Sequence, residues 1–182
     1  MRVITGSRRG KKLKALEGLD TRPTTDMVKE AVFSIIQFDV PGASVLDLFA
    51  GSGQLGIEAL SRDAAHCVFV DKNPSAVAVI KENITDCNFN GVSRVLNMDS
   101  LEYLKVAKKG IDIVLLDPPY NNGLIEKALP LLEPKLNDGA IVVCEHEKEL
   151  TLAESYGSLV MHKRYKYGKI CLTVYKIPSK EE

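Results

Sequence analysis

From Ser44 onward the chain alternates short apolar runs with segments of helical period, and that alternation leaves few folds open to it. Val45 to Phe49, Cys67 to Val70, Arg94 to Met98, Ile111 to Leu116 and Ala140 to Glu145 read as strands. Between them a Gly-rich turn leads into a helix ending near Ser61. Pro74 to Cys87, Leu101 to Ala107 and about Gly123 to Leu132 read as further helices, the first with proline in its opening turn. Strands that alternate with helices pair in parallel and are covered on both faces. Right-handed crossovers then predict a doubly wound α/β sheet. The end of the chain differs: Leu159 to Tyr165 and Ile170 to Ile177, parted by Lys166 to Lys169, predict an antiparallel hairpin. The expectation is a mostly parallel, seven-stranded sheet closed by that hairpin.

Ahead of the sheet stands a short basic extension. Met1 to Thr5 and Lys11 to Leu13 read as two short strands around a polar turn, and about Thr25 to Gln37 as a helix. Two units are expected: residues 1–40 as this extension and 41–182 as the α/β domain. The formal net charge is zero, which hides an asymmetry. Residues 1–14 hold Arg2, Arg8, Arg9, Lys11, Lys12 and Lys14 and no acid, which suits a polyanionic partner. Apolar runs are far shorter than the ~20 residues a membrane span needs. The opening residues lack an apolar signal region, and Cys67, Cys87, Cys144 and Cys171 show no metal or disulfide spacing. A cytoplasmic protein with reduced thiols is expected, with neither a membrane nor a metal as partner.

In a doubly wound sheet, ligands bind beyond the carboxyl ends of the strands, so the residues there carry the function. The first strand ends in Asp47-Leu48-Phe49-Ala50-Gly51-Ser52-Gly53, whose glycines let the backbone approach a ligand. Alone this is a weak signal, because Gly51, Gly53 and Gly56 also fit a dinucleotide fingerprint. Asp71 ends the second strand, 20 residues beyond Gly51, a spacing that suits ribose hydroxyls. The third leads to Asp99-Ser100, an acceptor for an adenine amino group or a helix cap.

The fourth strand decides the reading. Val114-Leu115-Leu116 runs into Asp117-Pro118-Pro119-Tyr120. Two prolines fix φ twice and remove two N–H donors, which makes a stiff loop. The Asp117 carboxylate and the Pro118 carbonyl then offer two acceptors, and Tyr120 a flat surface. That combination suits a planar base bearing an NH₂ group.

Asp47 to Gly53, Asp71, Asp99 and Asp117 to Tyr120 resemble, in order, the motifs of the class I S-adenosylmethionine-dependent methyltransferases. Asp-Pro-Pro-Tyr is similar to the amino-methylating form of the fourth motif. The opening Met1-Arg2-Val3-Ile4-Thr5-Gly6, the segment Thr21-Arg22-Pro23-Thr24-Thr25-Asp26 and Asp47 to Gly53 together resemble the RsmD family of bacterial 16S ribosomal RNA guanine-N2 methyltransferases. Many amino methyltransferases carry Asn where this chain has Asp117; the RsmD family uses Asp.

The resemblance implies a Rossmann-like fold, S-adenosylmethionine as cofactor, and methylation of the N2 amino group of a guanine in 16S ribosomal RNA. It implies a monomer that meets its RNA free or within an assembled small subunit. Asp47, Gly51 and Gly53 would hold the methionine part of the cofactor, Asp71 the ribose, and Asp99 and Ser100 the adenine; Phe49, Ser52 and Lys72 belong to the same segments. Arg22, Pro23 and Thr24 would sit over the methionine end. Asp117, Pro118, Pro119 and Tyr120 would hold the target base, and Arg8, Arg9, Lys11 and Lys12 would grip RNA phosphates. Adenine N6, cytosine N4 or a protein glutamine remain open as alternative acceptors. A nicotinamide-dependent oxidoreductase shares the glycines and Asp71 but leaves Asp117 to Tyr120 unexplained. A non-catalytic RNA-binding module is the third alternative.

Overall fold

The computed structural model describes residues 1–16, 26–120 and 122–179. Its first half runs α1 (Asp26–Ile35), β1 (Ser44–Asp47), α2 (Gln54–Ser61), β2 (His66–Asp71), α3 (Pro74–Asp86) and β3 (Ser93–Asn97). Its second half runs α4 (Ser100–Val106), β4 (Ile111–Leu116), α5 (Leu124–Leu132), β5 (Leu136–Glu147), β6 (Ser155–Tyr156), β7 (Leu159–Tyr167) and β8 (Ile170–Lys176). From α1 onward the expected strands and helices are present with ends shifted by a few residues. β5 begins earlier than expected because the pairing of β4 with β5 is irregular between Ile111 and Ile113, which absorbs Asn137-Asp138-Gly139 into the strand.

One sheet holds all the strands, in the order β3-β2-β1-β4-β5-β8-β7-β6. β1 to β5 are parallel, and β8, β7 and β6 follow antiparallel. The seven expected strands gain an eighth, the two-residue β6, at the β7 edge. Two residues are too few to show an alternating pattern in sequence. The chain leaves β1 toward β2 and β3, then returns to β4 on β1's other side. The carboxyl ends of β1 and β4 therefore adjoin at the point where strand order reverses, where ligands of such sheets bind. Asp112 is the polar residue of β4; its carboxylate accepts from the Ser44 amide at 2.8 Å and the Asn137 side chain at 2.7 Å.

Alternation along the strands sends side chains into two cores. Val45, Ile113, Leu115, Ile141 and Val143 pack with residues of α1, α2 and α3 on one face. Leu46, Val114, Leu116, Val142 and Cys144 pack with α4 and α5 on the other. The four cysteines are free and buried.

The basic extension is not the two-strand ladder expected; one antiparallel bridge, Arg2 to Lys12, joins its arms. Val3 and Leu13 are buried in the same core as Phe33 and Ile36, so this segment shares the sheet's interior. Side chains complete the docking. Glu58, fully buried, accepts from the amides of Ile4 at 2.8 Å and Thr5 at 2.9 Å and from Arg62 Nε at 2.9 Å. Lys29, also fully buried, donates to the Arg2 carbonyl at 2.5 Å and lies 3.9 Å from Glu58. Burial pushes the Lys29 ammonium below its usual range, against the pull of Glu58. At Gly6 (φ +87°) an added Cβ would lie 1.7 Å from the Ser61 carbonyl oxygen, so only glycine lets the segment lie this close to α2.

Candidate active site

The turn after β1 is built from inside out. Asp47 ends the strand and is 2% exposed; its Oδ2 accepts from the Gly56 amide at 2.9 Å. It thereby pins the first turn of α2 beneath the loop. Gly56 must lack a side chain here, because a Cβ would meet the Phe69 ring at 2.3 Å and Cys67 Sγ at 2.8 Å. Above it Gly51 adopts φ +56°, a left-handed conformation, and a Cβ built on it has no neighbour within 4 Å. The loop's upper surface is open there, as a ligand cradle requires.

Asp71 is tied to this loop. Its Oδ2 accepts from the Gly51 amide at 2.9 Å and its Oδ1 from the Asn73 amide at 2.8 Å. Asn73, not Asp71, caps α3, through the Ser75 amide at 2.9 Å. Asp99 is the cap of α4, its Oδ1 accepting from Leu101 at 2.9 Å and Glu102 at 3.1 Å. Ser100 is buried and donates to the Leu48 carbonyl at 2.6 Å, joining the end of β3 to the end of β1. Phe49 and Ser52 are half-buried at the loop, and Lys72 is exposed.

Asp117 stands at the end of β4, two residues past Leu115, which pairs with Asp47. Burial, Asp117 and Asp71 push the Asp47 carboxyl up to about 7, against the Gly56 hydrogen bond. Three carboxylates thus converge around the glycine loop. A site of this sign favours a cation.

Beyond Asp117 lies a cleft of about 580 Å³. Pro118, Pro119 and Tyr120 line it together with Glu145 and His146, in the last residues of β5, and Leu150 just beyond the strand. Pro118 is buried and Tyr120 half-buried. His146 is 1% exposed, with Nδ1 on the Glu147 carbonyl and Nε2 on the Thr173 hydroxyl, each at 2.8 Å. A carbonyl can only accept, so Nδ1 carries the proton, and burial pushes the ring's pKa down, favouring the neutral form.

The structure brings Asp47, Asp71, Asp99, Ser100 and Asp117 to Tyr120 to the same edge of the sheet. Arg22, Pro23 and Thr24 lie outside the described residues. Of the basic residues, Arg9, Lys11 and Lys12 are exposed. Arg8 is engaged: its Nε donates to the Cys87 carbonyl at 2.6 Å and its guanidinium lies 5.2 Å from the centre of the Phe89 ring. The residues at the end of β5 escaped the sequence reading. Its strand-end rule stopped at the fourth strand; applied to the fifth, it would have reached Glu145.

A family profile described as "Conserved hypothetical protein 95" matches residues 1–176. Ribosomal RNA small subunit methyltransferase D of Escherichia coli (strain K12) is 34% identical over 186 residues, covering 100% of this chain and 92% of that protein. A Bacillus subtilis (strain 168) relative, YlbH, provisionally described as an rRNA methyltransferase, is 41% identical over 181 residues, covering 97% of this chain and 98% of its own. Among solved structures, Escherichia coli yhhF, provisionally a methyltransferase, superposes with a TM-score of 0.89 at 34% identity, over 99% of both chains. An RNA methyltransferase from Salinibacter ruber, solved with S-adenosyl-L-homocysteine, shares the fold with a TM-score of 0.67 at 18% identity over 88% of this chain and 96% of that one.

Proposed function

Because this chain belongs to the conserved hypothetical protein 95 family, that of the RsmD ribosomal RNA methyltransferases, we propose that it methylates the N2 amino group of a guanine in 16S ribosomal RNA, using S-adenosylmethionine. The observation that carries this reading is the junction of two features at the β1–β4 switch point: a glycine loop ringed by Asp47, Asp71 and Asp117, and a double-proline cleft beside it.

The ring of carboxylates fits the cofactor. S-adenosylmethionine bears an ammonium and a sulfonium, both stabilised by nearby negative charge. A nicotinamide dinucleotide would instead bring the two negative charges of its pyrophosphate into the same ring, which counts against an oxidoreductase. Gly51 and Gly53 would admit the methionine part over the open loop, with Asp47 bracing it from below. Asp71 would accept from the ribose hydroxyls through lone pairs its two amide bonds leave over. Asp99 would face the adenine with the oxygen that does not cap α4, and Ser100 would keep the end of β3 in register.

When bound, the cofactor supplies an electrophilic methyl group. The chain's own contribution is to position and polarise the amine. A guanine N2 lone pair is delocalised into its ring and attacks poorly. With Asp117 and the Pro118 carbonyl accepting its hydrogens, charge is drawn toward nitrogen as the bond forms, and Asp117 lies where the departing N2 proton can go. Tyr120 would stack on a base taken out of its helix. Residues 1–40 would supply the phosphate grip, through Arg9, Lys11 and Lys12, and 41–182 the chemistry. The protein would act as a cytoplasmic monomer, without a metal, on RNA free or assembled with small-subunit proteins.

The test is incubation with isotopically labelled S-adenosylmethionine and 16S RNA, free or in small subunits, followed by nucleoside analysis. N2-methylguanosine is expected, and mapping it gives the modified position. Label in N6-methyladenosine, N4-methylcytidine or protein glutamine would overturn the assignment.

A further inference from the structure

The chain has a second run of one charge. Ser155 to Ser179 hold Lys163, Arg164, Lys166, Lys169 and Lys176 and no acid. The fold carries part of this run to the cleft. β7 and β5 both pair antiparallel with β8, so they run the same way and end at the same edge of the sheet. Cys171 pairs with His146 on one side and Lys166 on the other, which puts all three in one row on one face. With neighbouring strands about 4.8 Å apart, Lys166 stands roughly 10 Å from a residue that lines the cleft. Lys169 lies in the turn beyond, and its carbonyl accepts from the Lys148 amide at 3.0 Å. Lys148, Lys166 and Lys169 are exposed. Arg164 fixes this corner: its Nη2 donates to the carbonyls of Lys148 at 2.6 Å and of Leu150, in the cleft lining, at 3.1 Å.

The cleft itself has no place for a phosphate. Its ionisable lining is Glu126, Glu145, Glu147, Glu149 and His146, with no Lys or Arg among the described residues. A nucleotide that puts its base there must keep its phosphates outside, where cations at the rim attract them. The tip of the basic arm lies far from that rim. The Ser7 amide donates to the Ser61 carbonyl at 2.7 Å and Arg8 Nε to the Cys87 carbonyl at 2.6 Å, at the carboxyl ends of α2 and α3. Each of those helices runs back against the strand before it, so these ends lie at the opposite edge of the sheet. The two edges are separated by the length of a strand such as β4, whose 6 residues span about 20 Å. We propose that Lys148, Lys166 and Lys169 form a second phosphate-binding surface, at the rim of the cleft, which holds the RNA backbone beside the guanine to be methylated. This surface serves the methyl transfer proposed above and rests on that reading.

The test uses the full chain and 16S RNA, free or in reconstituted small subunits. One variant combines Lys148→Gln, Lys166→Gln and Lys169→Gln. A control combines Lys105→Gln, Lys108→Gln and Lys109→Gln, three exposed residues between the end of α4 and the start of β4, at the opposite edge. Unchanged melting temperature and S-adenosylhomocysteine affinity show that both are folded. The rim variant is expected to lower the slope of log affinity against log salt by about 2–3, at about 0.7–0.9 per lost phosphate contact, and the control to leave it. RNA built by ligation, with a neutral methylphosphonate at one phosphate beside the mapped guanine, locates the contact: it weakens wild-type binding and leaves that of the rim variant as it is. An unchanged slope in the rim variant, an equal fall in the control, or methylphosphonates that weaken both proteins alike would overturn the surface and leave the methyltransferase standing. Lysines also guard edge strands against pairing; on that account the rim variant would self-associate in sedimentation with its slope unchanged. If wild type transfers no methyl group to RNA, the proposed function falls, and this inference with it.

Discussion

Asn83 Nδ2 donates to the Ser52 carbonyl at 3.0 Å, so a fully buried amide of α3 holds the glycine loop from behind. The same side chain donates to the Lys14 carbonyl at 3.0 Å and accepts from the Lys14 amide at 2.8 Å. The loop that would carry the cofactor and the basic segment that would carry RNA therefore share one buried anchor. Asn83→Ala orphans these groups. It is expected to lower stability by about 1–3 kcal/mol and to weaken S-adenosylhomocysteine binding, read by thermal melts and calorimetry. Unchanged affinity would show the loop needs no such anchor.

Asp117→Ala should abolish methyl transfer while S-adenosylhomocysteine still binds, because the carboxylate acts on the amine, and Asp47, Asp71 and the glycine loop remain to hold the cofactor. Single-turnover assays alongside binding isotherms separate the two. Retained turnover would remove Asp117 from the chemistry.

Asp47 gives the site a pH dependence. With its carboxyl pushed up to about 7 in the fold, the unfolded chain releases this proton first as pH rises from near 4. Stability from this group therefore falls between about pH 4 and 7, by on the order of a few kcal/mol. A bound cation favours the carboxylate, so S-adenosylmethionine should bind more tightly as pH rises through 7, with proton release. Titration calorimetry in buffers of different ionisation enthalpy reads that proton. Asp47→Asn should flatten both trends.

The arm divides into two kinds of basic residue. Reversing Arg9, Lys11 and Lys12 to Glu should weaken RNA binding and lower the slope of log affinity against log salt by about 0.7–0.9 per lost phosphate contact. Arg8→Ala should instead lower the melting temperature, because Arg8 is bonded to the Cys87 carbonyl and covers Phe89. An unchanged slope in the triple variant would detach the arm from phosphate binding.

Much of this fold is legible in the sequence. Strand and helix periods lie within neighbouring residues, so the five parallel strands and the closing hairpin could be read locally. Asp47, Asp71 and Asp117 are legible as strand-end residues because a parallel sheet delivers every strand's carboxyl end to one edge, and each stands where an apolar run stops. β6 and the single-bridge form of the basic arm were not legible, because neither has a period of its own. Side chains distant in sequence, Glu58 and Lys29, hold that arm in place.

Local pattern by itself determined the sheet, the glycine loop and the stiff proline corner, since each depends on the conformational limits of a few adjacent residues. Only the tertiary structure decided which charges feel one another. Asp47 and Asp117 are 70 residues apart in the chain, yet they couple because β1 and β4 are neighbours in the sheet. Arg8 likewise took its part from what surrounds it, because solvation and pairing are set by the fold around a side chain, not by its neighbours along the chain.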